Sequence, residues 1–270
     1  MIDVALVKSR FEKGFSSYSS EAVVQKQMNQ HLVAKLKELS PKTDSILEIG
    51  CGNGDLTQRF TENFQINNYV ANDIVCASCL NLKELELQCH PQEFRFVQGD
   101  AQVIDYPDKF SAIISGATFQ WFSDLKGMLQ KLNSNLHNGG LLAFSTFGPQ
   151  NLFQVKKLSG VGLEYQSFEE VKSLIPSEYE LLYAFEEQNT LQFPSAFDVL
   201  KHLKKTGVNG ISKQTWTRSK MEAFEQHYRS LYKSRGGVEL TYHPMYFILR
   251  SKNYAKHNHE HGPWGACASE

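Results

Sequence analysis

No apolar run in the 270-residue chain approaches the roughly 18 residues of a membrane-spanning helix. Residues 1–10 hold no apolar core of the secretory type either, so the expected location is the cytoplasm. There is no excess of charge: 28 Lys and Arg stand against 29 Asp and Glu, a formal net of −1. That balance argues against bulk affinity for nucleic acid. Cysteine is scarce, and five, an odd number in a chain of this size, point to a reducing compartment rather than a disulfide framework. Cys76 and Cys79 form one Cys-x-x-Cys, with Cys89-His90 further on, but a second pair is missing. Buried thiols on and after a helix therefore fit better than a zinc centre. A disordered composition is also lacking, since 41% hydrophobic residues suffice for a sizeable core. A single α/β domain with insertions fits the length.

What is present is organised around residues 45–54, Ser-Ile-Leu-Glu-Ile-Gly-Cys-Gly-Asn-Gly. The apolar, β-branched run at 45–49 predicts a buried parallel strand, and the residues from Asp55 open a helical pattern. Between them stand Gly50, Gly52 and Gly54. Strand, glycine turn and helix let a backbone approach a nucleotide, because glycine has no Cβ and tolerates positive φ. A dinucleotide fingerprint needs G-x-G-x-x-G, and Asp55 occupies the place of its last glycine, so a nicotinamide dehydrogenase is disfavoured. The run from Glu48 to Gly54 instead resembles the E/D-x-G-x-G-x-G motif of class I S-adenosylmethionine (SAM) methyltransferases. In that family the loop packs on the methionine moiety and the acid, here Glu48, orients the site.

The chain in order supports this pattern. A helix is expected over residues 21–39, with Phe11, Phe15 and Tyr18 ahead of it and Pro41 stopping it. Tyr18 and Gln25 are polar enough to close over a cofactor. A second strand, 68–74, ends in Asp73, 23 residues beyond Gly50, where a carboxylate can take both ribose hydroxyls, with Ile74 after it. A third strand, 94–98, runs into Gly99-Asp100-Ala101, which resembles the adenine-binding turn of the methyltransferases. The fourth, 110–115, ends in Gly116-Ala117-Thr118-Phe119-Gln120-Trp121 at the carboxyl end of the sheet, where open α/β sheets place their chemistry. Asp124 is the expected cap of a helix to residue 136, and Asn138-Gly139-Gly140 the turn into a fifth strand, 141–146. Helices near 150–158 and 167–174, a strand over 179–188, helices from Pro194-Ser195 and over 213–235, and a final strand over 238–251 complete the expectation.

The predicted fold is Rossmann-like: a doubly wound, mostly parallel seven-stranded sheet with helices on both faces. One domain spans 1–252, with a helical cap at 1–40 and a helical, basic insert at 195–235 before the last strand. Residues 253–270 read as a disordered tail, with metal binding by His257, His259 and His261 only a weak possibility. Nine basic residues against two acids give 199–235 a net charge of +7. A solvated helix face is the plain reading; an anionic partner such as a carrier protein, a phosphopantetheine or RNA is the functional one.

Beyond the loop, the chain resembles the biotin-synthesis malonyl-[acyl-carrier-protein] O-methyltransferases (BioC type) over roughly residues 1–252. The resemblance rests on Arg10-Phe11, Tyr18, Gln25, the 47–52 loop, Phe119-Gln120-Trp121, the stretch 144–152 (F-S-T-F-G-P-Q-N-L), the stretch 200–209 (L-K-H-L-K-K-T-G-V-N) and Leu240-Thr241-Tyr242. It departs at Asn53, where Thr is common, and at Asn72, where Leu is; neither removes a ligand group. What it implies is methyl transfer from SAM to the free carboxylate of a malonyl thioester on acyl carrier protein, an early pimelate-precursor step. Gln25, Glu48, Gly50, Cys51, Gly52, Gly54, Asp73, Ile74, Asp100, Ala101 and Gly116 would hold the cofactor. Tyr18 would position the reacting groups, and Gln120 and Trp121 would line the acceptor pocket. Lys201, Lys204 and Lys205 would meet the acidic carrier protein, with no nucleic acid, membrane or metal involved. A SAM enzyme for another small carboxylate or a quinone precursor, and a non-catalytic SAM- or RNA-binding module, stay open as alternatives.

Overall fold

The structure, a computed structural model, describes residues 4–39, 43–78, 82, 91–206 and 217–252. Helix α1 (Val4–Glu21) leads through Ala22 into α2 (Val23–Leu39). Phe11, Phe15 and Tyr18, expected ahead of a helix, are themselves on α1; their i, i+4, i+7 spacing puts them on one face. Then come β1 (Ser45–Ile49), α3 (Asp55–Asn63), β2 (Asn68–Asp73), β3 (Glu93–Gln98) and β4 (Phe110–Gly116). A single 3-10 turn, Phe119–Trp121, precedes α4 (Leu125–Ser134), whose cap Asp124 accepts from the Gly127 N–H. β5 (Leu136–Phe147), α5 (Phe153–Ser159), α6 (Phe168–Leu174), β6 (Tyr179–Glu186) and β7 (Asn189–Phe193) follow. Last are α7 (Ala196–Lys205), α8 (Arg218–Leu231), β8 (Lys233–Ser234), β9 (Gly237–Tyr242) and β10 (Pro244–Ser251).

Seven strands form one sheet in the order β3-β2-β1-β4-β5-β10-β6. Neighbours are parallel from β3 to β5, and β10 is antiparallel to both β5 and β6. This is the doubly wound sheet expected from the strand–helix alternation. Its two faces are separate cores. Leu47, Ile113, Phe144 and Phe247 point one way and pack with α4, while Ile46, Ala112, Ala143 and Ile248 point the other and pack with α2 and α3. The alternation within each strand is the period-2 pattern of a sheet buried on both sides. A third cluster joins Val24 and Met28 of α2 to Val199, Leu203, Phe224, Tyr228 and Leu240.

Four expectations need correction. The Asn138-Gly139-Gly140 stretch is not a turn between elements but a bulge inside β5, where Phe110 pairs Leu136 and Ala112 pairs Leu141. Gly139 takes φ +75° there, which a side chain would resist. The stretch read as one final strand is two. β9 pairs with β7 and β8 in a three-stranded sheet, β10 enters the main sheet, and His243 is the corner. Val238-Glu239-Leu240-Thr241-Tyr242 alternates and the stretch 245–249 is continuously apolar, so both halves read as strand, and only His243-Pro244 between them marks the corner. His243 holds it with ring bonds to Glu186 (2.8 Å) and to the Gln150 N–H (3.2 Å). The expected 179–188 strand stops at Glu186, and β7 begins a separate strand. The helix expected over 213–235 ends at Leu231, before the short β8. Cys79, Cys89, His90, His257, His259 and His261 lie outside the described residues, and among the described residues no metal-holding cluster occurs.

Candidate active site

Three cavities meet at the carboxyl end of the parallel strands. The largest, with about 960 Å3 of free space including its mouth, runs along the tips of β1, β2, β3 and β4. Its floor is the glycine turn. The N–H groups of Gly50 and Cys51 both donate to the Asn72 carbonyl, at 2.9 and 3.0 Å. Gly50 has φ +72°, and a Cβ there would lie 2.2 Å from Thr118 Oγ1. The glycine is therefore needed for conformation and space together. Asp73 ties the turn to β2: one carboxylate oxygen accepts from Gly52 N–H and the other from Val75 N–H, both at 2.7 Å. Burial raises the Asp73 pKa, while these backbone donors hold it down. Ile74, Asp100, Ala101 and Gly116 line the same crevice, and Trp121 closes it edge-on against Phe11 of α1.

A smaller pocket lies beneath the glycine turn, bordered by Gln25, Glu48, Cys51, Asp55 and Gly116. Glu48 is wholly buried, and one oxygen accepts from Thr57 and Tyr69 hydroxyls, each at 2.6 Å. Its other oxygen has no hydrogen-bond partner among the described residues. Burial pushes this carboxyl up to about 7 against those two hydrogen bonds. An unpaired buried carboxylate oxygen is costly unless a donor or cation reaches it. Asp55 accepts from Asn29 of α2 at 3.0 Å and pairs with Arg59. Gly54 lines neither cavity; it is the left-handed residue at which α3 begins.

The third cavity lies behind Tyr18, between α1, the end of β5, and the β7–β9 region. Asn151, Tyr165, Thr206 and Tyr242 line it with Gln120 and Trp121, and no basic side chain is among its described lining residues. Tyr18 borders all three cavities. Burial first, then the charges of Asp55 and Asp73, push its phenol well above the ordinary value, so it stays a protonated donor. Gln25 borders the second and third. The amide of Gln120 is already engaged, donating to the Ala117 carbonyl at 2.5 Å and accepting from Thr146 at 3.2 Å. It braces the wall more than it reaches inward. Ala117, shared by the first and third cavities, holds φ +53°, a strained value for a non-glycine residue at such a junction.

Comparison with known proteins decides the assignment. A family model described as a methyltransferase domain matches residues 46–140. The malonyl-[acyl-carrier protein] O-methyltransferase of Chlorobium luteolum is 35% identical over 256 residues, covering 93% of this chain and 97% of that one. The enzyme of the same name from Prosthecochloris aestuarii is also 35% identical, covering 92% and 94%. This chain belongs to the malonyl-[acyl-carrier protein] O-methyltransferase family. The fold agrees: a Bacillus halodurans chain described as a methyltransferase superposes with a TM-score of 0.61 at 15% identity, covering 81% of this chain and 97% of that one.

A methyltransferase of this family uses SAM, and the residues present fit it. The crevice offers a glycine-rich turn and a buried Ser78 hydroxyl without a partner among the described residues, and the pocket beneath the turn adds the partnerless Glu48 oxygen. Glu48, Asp55 and Asp73 make the surroundings acidic, which suits a cationic ligand. Sequence reasoning missed Thr118, Ser78, Asn151, Tyr165, Thr206 and Tyr242. Asn151 and Tyr242 stood inside stretches already matched to the family; Tyr165 carried no local signal.

Of the three lysines expected to meet a carrier protein, Lys201 and Lys204 are exposed on α7 and make no ion pair among the described residues. Lys205 does not join them. It pairs with Glu21 at the end of α1, tying α1 to α7.

Proposed function

We propose that the chain methylates the free carboxyl of a malonyl group carried on acyl carrier protein, with the malonyl end in the third cavity and SAM in the crevice. The observation that carries this is the position of Tyr18, which borders all three cavities. When bound, SAM supplies an electrophilic methyl group on a sulfonium sulfur. The rest is work for this chain's side chains. A malonyl carboxylate is already anionic, so no strong base is needed; the requirement is alignment and exclusion of water. Tyr18, kept protonated by burial and the nearby carboxylates, donates a hydrogen bond where the reacting groups meet. Phe11 and Trp121 cover the junction with apolar surface. The product ester lacks the charge of the substrate, so the carrier-bound chain can enter elongation as a neutral group.

Helix α7 joins docking to chemistry. Thr206, at the end of α7, lines the third cavity and His202 reaches it through the Tyr242 hydroxyl, while Lys201 and Lys204 stay outward. A carrier protein with an acidic face would then meet the lysines while its arm delivers the malonyl group past the other side of the same helix. No described helix is long and apolar enough to cross a membrane. The test is a comparison of kcat/KM for malonyl-carrier protein, malonyl-CoA and free malonate. The expected order is carrier first, CoA second and malonate far behind. Equal values for carrier and free malonate would overturn the carrier assignment.

A further inference from the structure

The third cavity must receive an anion, yet no cation is among its described lining residues. One buried chain of polar groups leads from it to the surface. His202, 7% exposed, has Nε2 at 2.7 Å from the Tyr242 hydroxyl. Its Nδ1 lies 3.4 Å from Glu21, which also pairs with Lys205. The chain therefore draws on β9, α7 and α1 and ends one turn from Tyr18. The groups that face the His202 ring are Glu21 from α1, Lys205 from its own helix, Tyr242 from β9 and the uncharged Phe193 ring from β7.

The donor logic has two states. Glu21 is held ionised by Lys205, and an ionised carboxylate only accepts, so Nδ1 carries a proton in both. With His202 neutral, Nε2 is bare and takes the Tyr242 hydrogen, leaving oxygen lone pairs as the part of that hydroxyl not engaged. With His202 protonated, Nε2–H donates to the Tyr242 oxygen, and the hydroxyl hydrogen is freed for a carboxylate. Burial pulls the histidine below its ordinary pKa, so the neutral state is favoured before an anion arrives.

We propose that His202 is the positioning residue that charges the acceptor pocket: binding of the malonyl carboxylate is coupled to uptake of one proton at His202 Nε2, which turns the Tyr242 hydroxyl into a donor to one carboxylate oxygen. The other oxygen stays available for methylation. The proton comes from solvent on binding, no covalent bond other than Nε2–H forms, and the same proton returns to solvent when the neutral ester leaves. The pocket thus distinguishes substrate from product by charge. This rests on the acceptor assignment made above.

The test is calorimetry of malonyl-carrier protein binding to the wild-type chain with S-adenosylhomocysteine, in two buffers of different ionisation enthalpy. The expected result is net uptake approaching one proton at about pH 7.5, none with acetyl-carrier protein, and none in His202→Gln. In steady state, KM for malonyl-carrier protein should rise with pH, by at most about tenfold per unit, while kcat changes little. His202→Gln and Tyr242→Phe should make KM independent of pH without altering SAM affinity. No uptake by the wild type, or uptake that persists in His202→Gln, overturns the relay. The wild-type calorimetry needs no variant to fold. If the wild type does not methylate malonyl-carrier protein at all, the acceptor assignment falls; if it methylates without proton uptake, only the relay falls.

Discussion

The two halves of the site are built by opposite means. The cofactor half is made of consecutive residues at the tips of neighbouring parallel strands, and backbone groups do most of the positioning. Gly50, Cys51 and Gly52 are fixed by bonds to Asn72 and Asp73. The acceptor half has no such frame. Tyr18, Gln120, Asn151, Tyr165, Thr206 and Tyr242 come from separate parts of the chain and present neutral polar groups. On the proposed assignment, acid surrounds a ligand that is a cation, and uncharged polar groups surround one that is an anion. On the same reading, the first half serves a ligand that is always the same, and the second is assembled beside the face of α7 proposed to meet the carrier.

If that contrast is right, the largest loss should come from the backbone frame. Gly50→Ala forces a Cβ into Thr118 at a positive φ, and SAM affinity should fall by about a hundredfold or more, read by calorimetry. Tyr18→Phe should cut kcat by about tenfold to a hundredfold while SAM affinity stays near the wild-type value, since only a hydrogen bond at the junction is removed. A matching loss of SAM binding would mean that Tyr18 belongs to the cofactor half. The double variant Lys201→Glu/Lys204→Glu should raise the carrier-protein KM by about tenfold, with the effect shrinking at high salt and SAM affinity unchanged. Lys205 is best left out of that variant, because its charge is spent on Glu21. An unchanged KM would remove α7 as the docking face.

The contrast also explains what could be read from the chain before its fold was known. Strand β1, the glycine turn and Asp73 are local: composition and spacing carry them, and all three stand in the crevice. The acceptor half depends on the corner at His243, which separates β9 from β10 where two strand-like stretches follow each other with only His243-Pro244 between them. Period-2 alternation cannot show which sheet a strand joins. Tyr242 and Tyr165 become neighbours only after that corner turns the chain. The same limit hid Lys205, since a basic residue on an amphipathic helix looks like its neighbours until Glu21 arrives from 184 residues away.

The smallest effect concerns pH. Burial raises the Glu48 carboxyl from an ordinary 4.5 to about 7. The folded state then binds more protons than the unfolded chain between those values, so stability without SAM should fall as pH rises through that window. Thermal melts of the wild type should show the decline, and Glu48→Gln should flatten it. A wild-type stability that rises with pH there would show that Glu48 is already matched by a positive group.

The most direct measurement is intact mass spectrometry of malonyl-acyl carrier protein after incubation with this protein and SAM, beside acetyl-carrier protein as control. The account predicts a gain of one methyl on the malonyl carrier and none on the acetyl carrier. An unmodified malonyl carrier in the presence of bound SAM would contradict it, as would equal methylation of both carriers.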